Sequence, residues 1–371
     1  NDATRRAAPN DAWREFWFDV ADAPELRTAW RTAPRVLRGA GPADALGLDA
    51  LRAAVNADPS ALDDAARVDF GAGVGWTNVP LAAADSPGAR LDASERTVLL
   101  NHAGAAFPEL LGGACIAALD AFEMPVGLNV YASGPGLAAS APPHTDRQEV
   151  VVAQCAGKKR WRVFRPPSVS DQPERDPYAR GKGSDVLDED SLICLLDVVL
   201  EERDVLYVPA GFPHATATAD DASLHLTFGF VPCANFGLGV DSLRGAARGE
   251  RTAYDPLDDA EMLRELAPSV YALFDAPLPL GRFLERGGDR GRAQLADAFA
   301  AAEASAVGAF RARLGPDPEA DVVDAALDRI ARHHGRVLAE QRRAYAPGDP
   351  RPASERVAAH VDALGALVDE L

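Results

Sequence analysis

Apolar residues recur at helical spacing over residues 1 to about 65, in DAWREFWFDV, PELRTAW and LGLDALRAAVN, where Leu48, Leu51 and Val55 mark one face. Trp30 and the run Pro34-Arg35-Val36-Leu37 read as the chain turning into a first strand. From about 66 to 125 the pattern is mixed, and ASERTVLLNHAGAAFPELLGGACIAALDAF predicts a helix that follows a capping-type Ser94. Between about 126 and 235 the chain changes character. Short runs rich in Val, Leu, Tyr, Phe and Trp, separated by Gly, Pro and Asp clusters, give five strand candidates: GLNVYAS, EVVVAQC, KRWRVFR, LLDVVLEERDVLYVPA and SLHLTFGFV. The segment EVVVAQ-CAGK-KRWRVF carries a hairpin signal, two strands joined by a short Gly-containing turn. Strands of this length and turn content predict a jelly roll or cupin-like barrel.

Beyond about 240 the helical period returns in DDAEMLRELAPSVYALF, RAQLADAFAAAEASAVGAFRARL, EADVVDAALDRIARHHGRVLAEQRRAY and SERVAAHVDALGALVDEL, with Gly and Pro punctuation between them. The fold class expected is therefore mixed α and β: a catalytic barrel domain with a helical amino-terminal flank over 1–235, and an all-helical domain over 236–371. No repeat of solenoid period is present in the sequence.

Composition narrows the function. With 371 residues, 47% hydrophobic and 25% charged, the chain has the make-up of a globular protein with a substantial core. A formal net charge of -18 opposes phosphate backbones, which argues against nucleic acid as a partner, whereas the same field attracts a basic peptide or protein. Cys115, Cys155, Cys194 and Cys233 form no CxxC pair, so neither a zinc knuckle nor a redox dithiol is expected, and all four read as reduced core thiols. No stretch approaches 18 consecutive apolar residues and the first residues lack an apolar signal core. A soluble intracellular location, cytoplasm or nucleus, with no membrane partner, is the expectation. Asn1 at the start, in place of Met, leaves room for an upstream segment.

The chemistry concentrates at His144-Thr145-Asp146. Residues i and i+2 of a strand share a face, so this imidazole and carboxylate can reach one ion while Thr145 points away. A third ligand has to come from a neighbouring strand, and His214, after the turn in YVPAGFPHATAT, is placed to supply it. Two His and one carboxylate on one side of a metal form the facial triad of non-haem iron(II) oxygenases, which keeps positions free for cosubstrate and dioxygen. His102 and His225 are competing donors; His333, His334 and His360 fall on amphipathic helices, where solvent exposure is expected.

The run NVYASGPGLAASAPPHTDRQEVVVAQCAGKKRWRVFRPP, with DVLYVPAGFPHATAT and SLHLTFGF downstream, resembles the Jumonji C oxygenases, specifically the cupin-type branch that includes the ribosomal oxygenases. Residues 120 to 232 carry this resemblance. It implies His144, Asp146 and His214 as iron ligands and Lys159 as the cation for the distal carboxylate of 2-oxoglutarate. A dicarboxylate held at one end by a metal needs a buried positive group at the other, and an ammonium supplies it. Strand alternation places Lys159, Trp161 and Val163 on the inward face, with Lys158 and Arg160 facing out. Asn129 and Tyr131, on one face of the preceding strand, line the cosubstrate and substrate pocket in the resembling enzymes, a hydrogen-bonded barrel interior being the other reading; Thr227 and Ser223, beside His225, either contact 2-oxoglutarate or satisfy interior strand groups.

The reaction so implied is iron(II)- and 2-oxoglutarate-dependent hydroxylation of a protein side chain, with a ribosomal protein as the substrate the branch suggests. A small-molecule hydroxylase on the same barrel, or a metal-binding cupin without oxygenase activity, are the other readings, and Lys159 separates the last from the rest. The carboxy-terminal helices are the expected homodimer contact.

Overall fold

The computed structural model describes residues 9–69, 77–80, 87–91, 96–166, 187–230 and 335–369, apart from positions 31, 44, 64, 123 and 147. Three helices open the chain as the periodicity predicts: α1 (Pro9–Asp22), α2 (Pro24–Ala29) and α3 (Leu48–Ala57). In α1, Trp13, Phe16, Trp17 and Val20 repeat at three- and four-residue intervals and are buried together. Trp17 meets Phe228 edge-on, with ring centroids 4.7 Å apart. The expected first strand is β1 (Arg35–Leu37), and β2 (Ala65–Asp69) and β3 (Thr77–Pro80) follow α3.

The helix expected from Ser94 onward is corrected. Thr97–Leu100 is a strand, β4, and the helical part is confined to α4 (Ala103–Ala106), a π turn at Pro108–Gly112 and α5 (Gly113–Phe122). Four consecutive apolar or β-branched residues buried on both faces suit a strand between β2 and its other neighbour better than an amphipathic helix.

Eight further strands follow: β5 (Val126–Ser133), β6 (Ala141–His144), β7 (Glu149–Gly157), β8 (Lys159–Phe164), β9 (Cys194–Leu200), β10 (Val205–Val208), β11 (His214–Ala217) and β12 (Ser223–Phe230). They join two antiparallel sheets, one ordered β1-β10-β7-β12-β5-β4-β2-β3 and the other β6-β11-β8-β9. The architecture is thus mixed α and β with facing antiparallel sheets. Side-chain alternation divides the core. Val151, Ala153, Leu226, Phe228 and Phe230 point to the layer built with α1 and α5, whereas Val150, Val152, Leu206 and Val208 meet Trp161, Val163 and Leu200 of the second sheet.

The hairpin expected at EVVVAQ-CAGK-KRWRVF does not form. β7 pairs with β10 and β12, and β8 pairs with β9 and β11, so the chain crosses from one sheet to the other at Gly157-Lys158. Gly157 sits at φ 64°, and a Cβ there would lie 1.8 Å from the carbonyl oxygen of Ala222, so only glycine fits this crossing. LLDVVLEERDVLYVPA divides into β9 and β10, one strand in each sheet.

Two carboxy-terminal helices are described, α6 over 335–345 and α7 (Ala353–Asp369). They lie against β5 and the helices α4 and α5. Gln341 accepts from the Val126 amide (2.9 Å) and donates to its carbonyl (3.2 Å), while the Tyr345 hydroxyl donates to the same carbonyl (2.6 Å). Arg342 pairs with Asp120 of α5. His360 was expected to be exposed but is buried, 3% accessible, because α7 packs on α4. The two expected helices between 258 and 314, the beginning of the third, Cys233, His333, His334 and the boundary at 235 lie outside the described residues. Of the expected core thiols Cys115 and Cys155 are buried, but Cys194 is exposed, since it opens the edge strand β9. No described helix is long and apolar enough to cross a membrane.

Candidate functional site

β6 and β11, the two short strands absent from the five candidates, bring the histidines together. Cα pairing sets His144 directly opposite His214. Their rings lie 4.2 Å apart between centroids. Asp146 follows two residues after β6, and its backbone carbonyl accepts from the Gly211 amide (2.9 Å), which ties this loop to the turn before His214. Gly211 holds φ 78°, a left-handed conformation that suits glycine, and it directs Phe212-Pro213 into β11.

One donor atom from each of His144, Asp146 and His214 lies within 4.8 Å of the other two. Both imidazoles have Nδ1 hydrogen bonded to the carbonyl two residues earlier: His144 to Pro142 (2.7 Å) and His214 to Phe212 (3.0 Å). A carbonyl only accepts, so each Nδ1 carries a proton, which leaves Nε2 as the nitrogen able to ligate. The Asp146 carboxylate lies 3.5 Å from His214 Nε2. Two imidazoles and one carboxylate, preset in this way, fit a divalent cation with open coordination positions.

The same cavity between the sheets is lined by Lys159, Tyr131, Trp161, His225, Thr216 and Thr227 as well as the three donors. Lys159 is 2% exposed and its Nζ donates to Ser133 Oγ (2.8 Å). No carboxylate among the described residues pairs with it, and burial pushes its pKa down to about 7. Tyr131 stacks on His225 at 4.9 Å between centroids and an interplanar angle of 4°, with Lys159 Nζ 6.0 Å from its ring. Thr227 Oγ1 and Trp161 Nε1 are buried with no hydrogen-bond partner among the described residues. A polar ligand in the cavity would satisfy atoms of this kind.

Strand alternation correctly separates Lys159, Trp161 and Val163, all buried, from exposed Lys158 and Arg160, which pair with Glu201 and Asp197. Asn129 is half-buried opposite Thr227 and does not line the cavity. Ser223 lies at the far end of β12, bonded to Gln154, and also stays outside it. His102, a competing donor, caps α4 at φ 49° away from the three ligands, and His225 lines the cavity without joining them. Sequence reasoning missed Ser133, Thr97, Ser140 and Thr216. Ser133 was legible, being two residues beyond Tyr131 on the same strand face.

Residues 114–235, which hold the three donors and Lys159, match the family model described as JmjC domain. Over this stretch the chain is similar to JmjC domains. The chain aligns with the bifunctional lysine-specific demethylase and histidyl-hydroxylase NO66 of Drosophila yakuba, 40% identical over 114 residues, which is 30% of this chain and 16% of that protein. Ribosomal oxygenase 1 of Gallus gallus is 38% identical over 107 residues, covering 29% of this chain and 17% of the relative. The chain therefore matches about a sixth of the length of these curated relatives. Among solved structures, Escherichia coli ycfD covers 65% of this chain and 60% of its own at 22% identity, with a TM-score of 0.41.

Proposed function

We propose that this chain is an iron(II)- and 2-oxoglutarate-dependent oxygenase that hydroxylates a protein side chain, with His144, Asp146 and His214 as the metal ligands. One observation carries the reading: Lys159, buried and without a described carboxylate partner, shares one cavity with the three donors. A metal-binding cupin with no dicarboxylate to hold gains nothing from a buried ammonium, which costs free energy to desolvate. The JmjC match, and relatives named as a histidyl-hydroxylase and a ribosomal oxygenase, support the same class and point to a protein substrate.

Iron(II) bound with 2-oxoglutarate and dioxygen supplies the oxidation of a C–H bond. The chain's own residues do the rest. Pro142 and Phe212 carbonyls hold both imidazoles in the tautomer whose Nε2 can ligate. Lys159 offers its ammonium to the distal carboxylate, and Thr227 and Tyr131 wall the same space. Trp161, stacked on His214 at 5.9 Å, helps keep water from the ligands. We read the paired sheets as a double-stranded β-helix, residues 1–235 as the catalytic unit, and 236–371 as a helical attachment with a homodimer contact.

The deciding experiment measures succinate release from 2-oxoglutarate under iron(II), across basic ribosomal-protein peptides and small molecules, with mass spectrometry for a gain of one oxygen. Peptide-stimulated succinate release with an oxidised peptide supports the proposal. Absence of release from any peptide, with iron bound, refutes it.

A further inference from the structure

Lys159 Nζ does not end in a simple contact. Its partner Ser133 Oγ lies 2.9 Å from Thr97 Oγ1, and Thr97 Oγ1 lies 2.9 Å from the backbone carbonyl of Ser140. All four residues are buried: Lys159 2%, Ser133 1%, Thr97 1% and Ser140 0% exposed. They come from β8, β5, β4 and the entrance to β6, so the contact spans both sheets. Ser140 continues the line, its hydroxyl 2.8 Å from Thr216 Oγ1 on the strand that carries His214.

Counting protons gives the chain a direction. A carbonyl oxygen accepts only, so the single Thr97 hydroxyl proton goes to Ser140. Thr97 Oγ1 then has only lone pairs to offer Ser133, which makes the Ser133 hydroxyl the donor in that pair. With its proton spent there, Ser133 Oγ presents lone pairs to Lys159, which must donate. The order is Lys159 to Ser133 to Thr97 to the Ser140 carbonyl, with no ambiguity at any link. Consecutive bonds of this kind polarise one another, so the final acceptor strengthens the first.

We propose that Thr97 and Ser133 are positioning residues for the cosubstrate: their directed hydroxyl pair fixes the Lys159 ammonium so that its remaining N–H donors face the cavity. This rests on the reading of Lys159 as the distal-carboxylate group. Thr97 lies on β4, before the stretch 114–235 that matches the JmjC model, so the family match alone does not include it.

The test uses the full chain loaded with zinc(II), which binds a 2-oxo acid without turnover, and calorimetric titration with two probes. 2-Oxoglutarate has the distal carboxylate; pyruvate has the same 2-oxo acid end without it. Ser133→Ala and Thr97→Val are each expected to weaken 2-oxoglutarate by about tenfold, as loss of support for a charged hydrogen bond does, and to leave pyruvate unchanged. Ser133→Thr and Thr97→Ser, which restore the hydroxyl, are expected to recover the ratio of the two affinities. Pyruvate binding also reports that each variant is folded. Equal losses for both probes, or an unchanged ratio in both hydroxyl-deleted variants, overturn the positioning role. If Lys159→Met collapses the ratio while the hydroxyl variants do not, only the relay fails. Should Lys159→Met itself leave the ratio unchanged, the cosubstrate reading falls and the relay with it.

Discussion

His144 and His214 face each other across two neighbouring short strands, and each binds through Nδ1 to the carbonyl two residues before it. The symmetry of that arrangement has a consequence. Both rings are held at Nδ1 by backbone carbonyls, so this part of their geometry is set by the strands and stands ready before any ion arrives.

Removing a donor should therefore destroy metal binding without unfolding the strands. His144→Ala, Asp146→Ala and His214→Ala are each expected to weaken iron(II) or manganese(II) affinity by more than the roughly 10–100-fold typical when a supporting partner is lost. Calorimetry with the metal checks this, and circular dichroism should remain that of the parent. Retained affinity in any one of the three would remove that residue from the ligand set.

Lys159 makes a prediction about stability in the metal-free chain. Burial lowers its pKa from 10.5 to about 7, so between pH 7 and 10.5 the unfolded chain binds more protons at this site than the folded one. Stability from this group therefore rises as pH increases through that window and is least below pH 7. Lys159→Met is expected to be more stable than the parent at pH 7 and to lose that advantage by pH 10, in thermal unfolding at both values.

His360 behaves in the opposite range. Burial comes first among the causes that hold its pKa down at about 4 from 6.5, with His102 adding to it, so the folded chain resists protonation there while the unfolded chain does not. The contribution is intact above pH 6.5 and is lost as pH falls toward 4. His360→Phe, which keeps a ring beside Tyr345 at its 5.5 Å spacing, should flatten the acid limb of a stability-versus-pH curve. A parent and variant with parallel curves would contradict this.

Gly157 is expected to tolerate no side chain. Gly157→Ala must place Cβ against the Ala222 carbonyl at a positive φ, so a loss of at least about 1–3 kcal/mol in chemical denaturation is anticipated. Val205→Ala, a core truncation elsewhere, serves as a comparison because it leaves the crossing between sheets intact.

Much of the site was readable in the pattern of residues. Period-two alternation places Lys159, Trp161 and Val163 inward and Arg160 outward, and the HxD spacing together with the turn before His214 indicates the three donors. Other readings failed where local pattern has two physical solutions. The run containing Cys155 to Lys159 has the look of a hairpin, yet the hydrophobic faces of β7 and β8 are buried against each other across two sheets and not side by side in one. Thr97–Leu100 has enough apolar character for a helix, and its neighbours β2 and β5 decide for a strand. β6 and β11 are four residues each, too short to show a period of their own.

Sequence alone determined which chemical groups are present and which of them share a strand face, because alternation is a local property of the backbone. Tertiary structure alone decided that Thr97, Ser133 and Ser140 line up behind Lys159, that His360 is buried, and that His144 stands directly opposite His214 in register. Those relations join residues dozens of positions apart, and they depend on strand register and sheet order, which are settled by packing between elements and leave no mark in any short stretch of chain.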